Sequence, residues 1–235
     1  MGSSVRSSHV IDLPSEKILP VRGIIFDMDG VIVDSEPRHQ QAFLEVFAEL
    51  GYADSHGVDF DLYLGKTDRA VWQDFLKRNQ SAETLEALLR RKELRLIELI
   101  QSDRPLFEPI PELLRDLALD YSLSVASGSP HRVIEAVLAL EDLSRYFPVV
   151  VSAEDVPRGK PAPDIFLEAA YRMKMDPTEL CVVEDSAAGV AAAKAAGMQV
   201  IAITNSLPAE KLFEADCVIA DYAEIFRILC DSGEG

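Results

Sequence analysis

The sequence has no long uninterrupted hydrophobic run. None of its apolar segments reaches the roughly 18 residues that a membrane-spanning helix requires. The chain also does not open with the charged, apolar and small-residue pattern of a secretory signal. Its hydrophobic fraction of 48% is nevertheless sufficient for a buried core. We therefore expect a globular cytoplasmic protein that does not act at a membrane.

Positive charge is scarce. Lys and Arg number 23 against 40 Asp and Glu, so the net charge is −17. A field of this sign repels DNA, RNA and anionic lipid, which argues against nucleic acid as a partner. The same field repels a phosphorylated substrate, so a phosphate site in this chain would require a local cation.

Cysteine is also rare. The three thiols, Cys181, Cys217 and Cys230, are an odd set whose spacing fits no common metal site. We interpret them as reduced, buried thiols without a catalytic role, as is usual for isolated cysteines in a cytosolic protein.

The most informative stretch is an apolar run that ends in two carboxylates. Residues 21–26 are mostly apolar and few enough to form a buried strand. Asp27 and Asp29 follow, and Gly30 permits the chain to turn. Ligands bind beyond the carboxyl ends of parallel strands, so two acids here suggest metal binding with acid–base or nucleophilic chemistry. The alternative is a turn that simply favours Asp and Gly.

Helical and strand patterns divide the chain into two parts. Three amphipathic helical patterns fill residues 37–103, with no comparable strand between them. From Pro105 onward strands and helices alternate, as in a parallel α/β sheet covered by helices on both faces. The predicted boundaries are a flexible tail at residues 1–19, a core at residues 20–36 and 105–235, and an all-helical insert at residues 37–104.

Polar residues follow four predicted strands, directly or in the next loop. After Asp27 and Asp29 they are Ser127 and Gly128, then Lys160, then Glu184 and Asp185. If the strands are parallel, these loops share one edge of the sheet. One pocket would then contain carboxylates, a hydroxyl, backbone N–H groups and an ammonium.

This combination suits the hydrolysis of a phosphate monoester. Asp27 is ionised near neutral pH and needs no base to act as a nucleophile, while Asp29 can protonate the leaving oxygen and later activate water. Ser127 and Lys160 can hold phosphoryl oxygens. Oxygen ligands suit Mg²⁺, which offsets the repulsion between a carboxylate and a phosphoryl group. The candidate ligands are Asp27, the Asp29 carbonyl, Glu184 and Asp185.

These motifs together resemble the haloacid dehalogenase (HAD) superfamily, and within it the β-phosphoglucomutase-like sugar-phosphate phosphatases. The matching stretches occur in the family's order and begin at Asp27, Ala126, Gly159 and Val183. The resemblance implies a Rossmann-like core, a helical cap inserted after the first strand, Mg²⁺ and a phospho-aspartate intermediate. It implies that Asp27 is the nucleophile and Asp29 the acid/base.

The resemblance also points to residues in the insert. His39 is similar to a substrate-proximal histidine of the mutases, and Gly65 and Lys66 lie where related enzymes place a cap loop over the substrate. A surface histidine and a plain loop are the alternatives. Lys92 lies among charged residues. It could reach a phosphate, but we interpret it as part of a solvated helix face.

Three functions remain open from the sequence. The first is a phosphatase acting on small phosphorylated sugars or polyols, as a monomer. The second is a β-phosphoglucomutase-type isomerase, although Asp68 stands where those sequences carry an arginine. The third is a non-catalytic phosphate-binding protein, which the complete set of motifs disfavours. Dehalogenation is less well supported, because Asp29 suits leaving-group protonation in phosphoryl transfer.

Overall fold

A six-stranded parallel sheet forms the centre of the protein. The computed structural model describes residues 18, 20–63, 67–79 and 81–230. The strands are β1 (Gly23–Phe26), β2 (Ser122–Ser127), β3 (Val149–Ser152), β4 (Leu180–Glu184), β5 (Gln199–Ile203) and β6 (Cys217–Ile219). Their order in the sheet is β3-β2-β1-β4-β5-β6, and every pair is parallel.

The strand order reverses direction at β1. From β1 the chain adds β2 and β3 on one side, then crosses to β4, β5 and β6 on the other. In a sheet of this topology the crevice for ligands lies beyond the carboxyl ends of the strands at the reversal. Every residue of β1 and β4 is buried, because helices cover both faces.

Eight α-helices accompany the sheet in the described part of the chain. Those between β1 and β2 are α1 (Glu36–Glu49), α2 (Asp68–Arg78) and α3 (Leu85–Asp103). The others are α4 (Ile110–Leu117), α5 (His131–Leu138), α6 (Asp164–Met173), α7 (Ala187–Ala195) and α8 (Ala223–Cys230). Within these residues no helix is both long and apolar enough to cross a membrane.

Within the described residues the apolar core has three parts. One cluster packs α4, α5 and α8 against one face of the sheet, and a second packs α6 and α7 against the other. The third lies within the helical insert, where the rings of Phe43, Phe47, Trp72 and Phe75 pack on one another. The insert thus has its own aromatic core, and the predicted fold, a Rossmann-like α/β core with an all-helical cap, is confirmed.

Two chain segments join the insert to the sheet. The Asp34 N–H donates to the Pro105 carbonyl at 2.9 Å, and Val33 pairs with Leu106 in an antiparallel bridge. These contacts lie close to the predicted limits of the insert, residues 37–104, and the boundaries themselves stay a prediction.

Two local predictions differ from the structure. Ile18 belongs to the predicted flexible tail, but its apolar side chain is buried in the core. The other predicted tail residues, 1–17 and 19, lie outside the described residues. The alternation of strands and helices predicts a helix at residues 209–213, between β5 and β6. The structure instead has a single 3₁₀ turn at Ala209–Lys211, because Leu212 leaves helical geometry with φ −111° and ψ 16°.

Candidate active site

Lys160 joins the ends of β1 and β4. Its Nζ donates to Asp27 Oδ1 at 2.5 Å and to Glu184 Oε1 at 2.6 Å. All three side chains are largely buried. The predicted convergence of these residues is therefore present, with the ammonium between two carboxylates.

Burial and neighbouring charge shift the protonation equilibria of this group. Burial raises the pKa of Asp27 well above its usual range; Lys160 opposes this shift, and the acids Glu184 and Asp185 add to it. Burial alone would lower the pKa of Lys160, but the Asp27 and Glu184 carboxylates raise it to a net value above that of a free lysine. Lys160 is thus a fixed positive charge at neutral pH.

Three of the carboxylates could hold a metal ion. One oxygen each from Asp27, Glu184 and Asp185 lie within 4.8 Å of one another, and all three residues are buried. Burial, followed by the charge of Glu184, raises the pKa of Asp185 to about 7. A site that concentrates negative charge in this way and offers oxygen donors fits a hard divalent cation. The chemistry of the donor set is therefore suitable for Mg²⁺.

Glu184 is fixed by the turn that leads into α7. Its Oε2 accepts bonds from the Asp185 N–H, the Ser186 N–H and the Ser186 hydroxyl, each at 2.8 or 2.9 Å. Gly189 makes this position possible, because a Cβ there would overlap the Glu184 carboxylate. Because Gly189 has no side chain, the Glu184 carboxylate can occupy this position.

The turn after Asp29 brings β1 close to Asp185. Gly30 has φ +80°, a conformation that favours glycine, and a Cβ at this residue would overlap Asp185 Oδ2. The same oxygen accepts a bond from the Ser206 hydroxyl. The loop after β5 therefore supports the acidic cluster.

Three serine hydroxyls surround the Asp29 carboxylate. Ser35 Oγ donates to Oδ1 at 2.5 Å, while Ser127 Oγ and Ser129 Oγ donate to Oδ2 at 3.2 and 2.9 Å. Ser35 precedes α1 but makes no side-chain cap bond, because its hydroxyl is used by Asp29. Gly128 lies between Ser127 and Ser129 in the chain. The space beside it is open, since a Cβ there would meet nothing within 4 Å.

The helical insert reaches Asp29 through His39. His39 Nε2 lies 3.9 Å from Asp29 Oδ1, so this predicted residue is close to the other candidates. Gly65 and Lys66 lie outside the described residues, and their contribution to substrate binding stays a prediction.

The interpretation of Lys92 as a solvated residue is wrong. Its side chain is fully buried, and its Nζ contacts His39 Nδ1 at 2.6 Å and Asp68 Oδ2 at 2.8 Å. The physical reason is that Lys92 shares the buried face of α3 with Leu88 and Leu96. Burial lowers the pKa of Lys92. Burial would raise the pKa of Asp68, but bonds to His39 and Lys92 lower it to a net value well below its usual range.

Comparison with known proteins identifies the family. Residues 24–203 match the haloacid dehalogenase-like hydrolase family. The chain belongs to this family. Fructose-1-phosphate phosphatase YqaB of Escherichia coli (strain K12) is 37% identical over 76% of this chain and 94% of the relative. Hexitol phosphatase B of the same strain is 35% identical over 76% and 82%.

Solved structures agree with this assignment. A putative β-phosphoglucomutase from Thermotoga maritima has a TM-score of 0.72 and 28% identity, covering 90% of this chain and 99% of the neighbour. CbbY from Rhodobacter sphaeroides, in complex with phosphate, has a TM-score of 0.77 and 26% identity, covering 87% and 96%. The predicted resemblance to the haloacid dehalogenase superfamily and its β-phosphoglucomutase-like group is confirmed, as is the prediction of a HAD-type enzyme.

Several residues near this haloacid dehalogenase-type site were not predicted from the sequence. Ser206 follows β5, so the rule that polar residues collect after strands could have found it. Lys92 could have been found from its spacing of four residues from both Leu88 and Leu96, which places it on the apolar side of α3. Ser129 lies just after the end of β2, so the same rule could have found it.

Proposed function

We propose that the protein is a Mg²⁺-dependent phosphatase that hydrolyses small sugar or polyol phosphate monoesters through a phospho-aspartate at Asp27. The single observation that supports this most strongly is the pairing of Lys160 with both Asp27 and Glu184. It places a fixed cation beside a candidate nucleophile in a chain whose net charge is −17. An anionic phosphoryl group could approach Asp27 only with such compensation.

In the proposed first step, a carboxylate oxygen of Asp27, in the ionised form that the neighbouring Lys160 ammonium favours, attacks phosphorus. The new bond forms as the bond from phosphorus to the substrate's ester oxygen breaks. Asp29 gives its proton to that oxygen, so the alcohol leaves neutral. The hydroxyls of Ser35, Ser127 and Ser129 fix the Asp29 carboxyl group for this transfer.

In the second step, water attacks the phosphorus of the phospho-aspartate. Asp29, now ionised, accepts a proton from this water. Inorganic phosphate leaves, and the Asp27 carboxylate is restored. Lys160, the Ser127 hydroxyl and the backbone at Gly128 are proposed to bind the phosphoryl oxygens in both steps.

The proposed metal ligands are Asp27, the Asp29 carbonyl, Glu184 and Asp185. The fit rests on the mutual proximity of three buried carboxylate oxygens. Mg²⁺ bound there would neutralise charge on the transferred phosphoryl group. Ser206 and the α7 turn would hold two of these carboxylates in place.

The proposed substrate class rests on the curated relatives. Two of them, each at least 35% identical, are named as a fructose-1-phosphate phosphatase and a hexitol phosphatase. The 3.9 Å distance from His39 Nε2 to Asp29 Oδ1 supports a position of the helical insert, proposed to be a cap at residues 37–104, on the side of the leaving group.

A β-phosphoglucomutase-type isomerase is the second candidate. The structural similarity to a putative β-phosphoglucomutase favours it. A mutase must hold two phosphates and therefore needs a second anion site in the cap. Asp68, which pairs with Lys92, contributes negative charge instead.

A phosphate-release screen with Mg²⁺ tests the proposal. The panel contains hexose, hexitol and nucleoside monophosphates, and β-glucose 1-phosphate is assayed in parallel for conversion to glucose 6-phosphate. We expect rapid phosphate release from a few related sugar or polyol phosphates, and a loss of at least about 10³-fold in Asp27→Asn, as for other nucleophile deletions. Release from no monophosphate would overturn the proposal, and isomerisation with little release would favour the mutase.

A further inference from the structure

Two residues from distant parts of the chain hold the turn that follows Asp29. The hydroxyl of Tyr222, just before α8, donates to the Val31 carbonyl at 2.6 Å. The side-chain amide of Asn205, after β5, donates to the Gly30 carbonyl and to the Tyr222 hydroxyl oxygen, each at 2.8 Å. Two successive carbonyls of the turn are therefore joined in one network to two side chains from beyond β5.

The centre of this network is buried. Tyr222 is only 6% exposed, and the centroid of its ring lies 5.8 Å from that of Phe107. Burial raises the pKa of Tyr222, so its hydroxyl keeps its proton at neutral pH and remains a donor. A buried carbonyl that loses its donor is costly, because water does not replace the lost bond. The turn is therefore fixed in place relative to β5 and α8.

Asp29 lies inside the turn that this network holds. The Gly30 N–H donates to the Val33 carbonyl at 2.9 Å, and the Ile32 N–H donates to the Met28 carbonyl at 2.8 Å. These internal bonds give the turn its shape, and the bonds from beyond β5 give it its position. Because Asp29 stands between Met28 and Gly30, its backbone moves only if the turn moves.

The loop that carries Asn205 also contacts the acidic cluster. Ser206 Oγ donates to Asp185 Oδ2, and a Cβ at Gly30 would lie 2.8 Å from the same hydroxyl oxygen. The turn and Asp185 thus meet this loop at adjacent residues. A shift of the turn against the loop would therefore change the position of Asp29 relative to the other residues of the proposed site.

We propose that Tyr222 and Asn205 are positioning residues that hold Asp29 where its carboxyl group can protonate the leaving oxygen. This inference rests on the proposed function, because it requires Asp29 to act as the acid. Both side chains act through the carbonyls of Gly30 and Val31. Three serine hydroxyls orient the Asp29 carboxyl group, and this network fixes the backbone from which that group projects. A misplacement of about 1 Å that is caused far from the chemistry can cost about 100-fold in rate.

The test compares kcat/KM for two substrates that differ in their need for a proton. The best monophosphate of the screen has an alcohol leaving group, which takes a proton from the acid as it leaves. Acetyl phosphate has an acetate leaving group, which is stable as an anion near neutral pH. Tyr222→Phe keeps the ring and removes the donor to Val31. We expect the monophosphate-to-acetyl-phosphate ratio of kcat/KM to fall about tenfold, part of the roughly 10²–10⁴-fold that a positioned acid contributes.

Three further variants calibrate this ratio. Asp29→Asn removes the acid itself and should lower the ratio further. Tyr121→Phe is the matched control, because the Tyr121 hydroxyl also donates to a backbone carbonyl, that of Leu229 at 3.4 Å, and its ratio should stay at the wild-type value. Asn205→Ala changes an exposed residue and keeps the buried tyrosine. Its ratio should fall as well, which provides the test if Tyr222→Phe fails to fold.

The outcomes separate positioning from a purely structural role. Equal losses on the two substrates in Tyr222→Phe, or an equal fall of the ratio in Tyr121→Phe, would overturn the inference while leaving the proposed function in place. A ratio that does not fall in Asp29→Asn would overturn the acid role of Asp29 and this inference with it. No phosphate release from any monophosphate by the wild type would overturn the proposed function as a whole.

Discussion

At the scale of single residues, Lys160 controls the charge of the site. Two buried carboxylates, Asp27 and Glu184, share its ammonium, and their repulsion would otherwise oppose folding. The same ammonium is also proposed to bind the phosphoryl group of the substrate. One side chain therefore serves both the stability of the folded site and the proposed binding of an anion.

Replacing Lys160 by Gln should reduce both stability and activity. The change leaves two buried carboxylates without a cation, and loss of one partner of a buried pair costs about 3–5 kcal/mol. We expect a lower free energy of unfolding in urea and a strong loss of phosphate release. Lys194→Gln is the matched control, because Lys194 pairs with Asp216 at a more exposed place. Equal stability of the two variants would contradict this role of Lys160.

At the scale of secondary-structure elements, the end of β4 and the start of α7 act as one unit. Glu184 ends the strand, Ser186 caps the helix through its bond with the Gly189 N–H, and the same serine donates to Glu184. Gly189 lies against the carboxylate. The helix start thus fixes an acid of the site, which explains why a small residue is needed there.

Gly189→Ala should displace the Glu184 carboxylate. In a helix Ala is normally more favourable than Gly by about 1 kcal/mol, so the substitution alone would raise stability. The overlap of the new Cβ with the Glu184 carboxylate predicts a loss of stability instead. We expect lower thermal stability together with reduced phosphate release. Gly159→Ala is the control, since a Cβ there would meet nothing within 4 Å. A Gly189→Ala protein as stable and active as the wild type would show that Glu184 can move without consequence.

The strands, and the residues at their carboxyl ends, could be predicted from the sequence. Short apolar runs ended by polar residues identified the strands, and parallel pairing then brought Asp27, Ser127, Lys160 and Glu184 to one edge. This worked because strand ends in a parallel sheet share an edge regardless of how the helices pack. The arrangement of Lys92 with Asp68 was not predicted, because it depends on how α2 packs against α3. The hydrogen bond from the Ser35 hydroxyl to Asp29 was not predicted either, because a serine before a helix is normally expected to cap that helix.

At the scale of the whole molecule, the three acids that are buried in the described residues lie together. The chain carries a net charge of −17, and its buried acids gather at the switch point of the sheet. The free energy of folding therefore includes the cost of holding these carboxylates together. A bound divalent cation would remove much of that cost.

Mg²⁺ should raise the melting temperature of the protein. At 100 times its dissociation constant a ligand adds about 2.7 kcal/mol, which corresponds to roughly 5–10 °C for a chain of this size. Calorimetry after EDTA treatment and after addition of Mg²⁺ would measure the shift. Asp185→Asn should lose it, whereas Asp120→Asn, an exposed position before β2, should retain it. An identical shift in both variants would place the cation elsewhere.

The most direct test of the account is to trap the proposed phospho-aspartate. The wild-type enzyme would be mixed with Mg²⁺ and its best monophosphate, quenched in acid within the first turnover, and digested for mass spectrometry. We predict the mass of one phosphoryl group on the peptide that contains Asp27, and none in Asp27→Asn. Phosphate release at the wild-type rate without that modification, or with the phosphoryl group on another residue, would contradict the account.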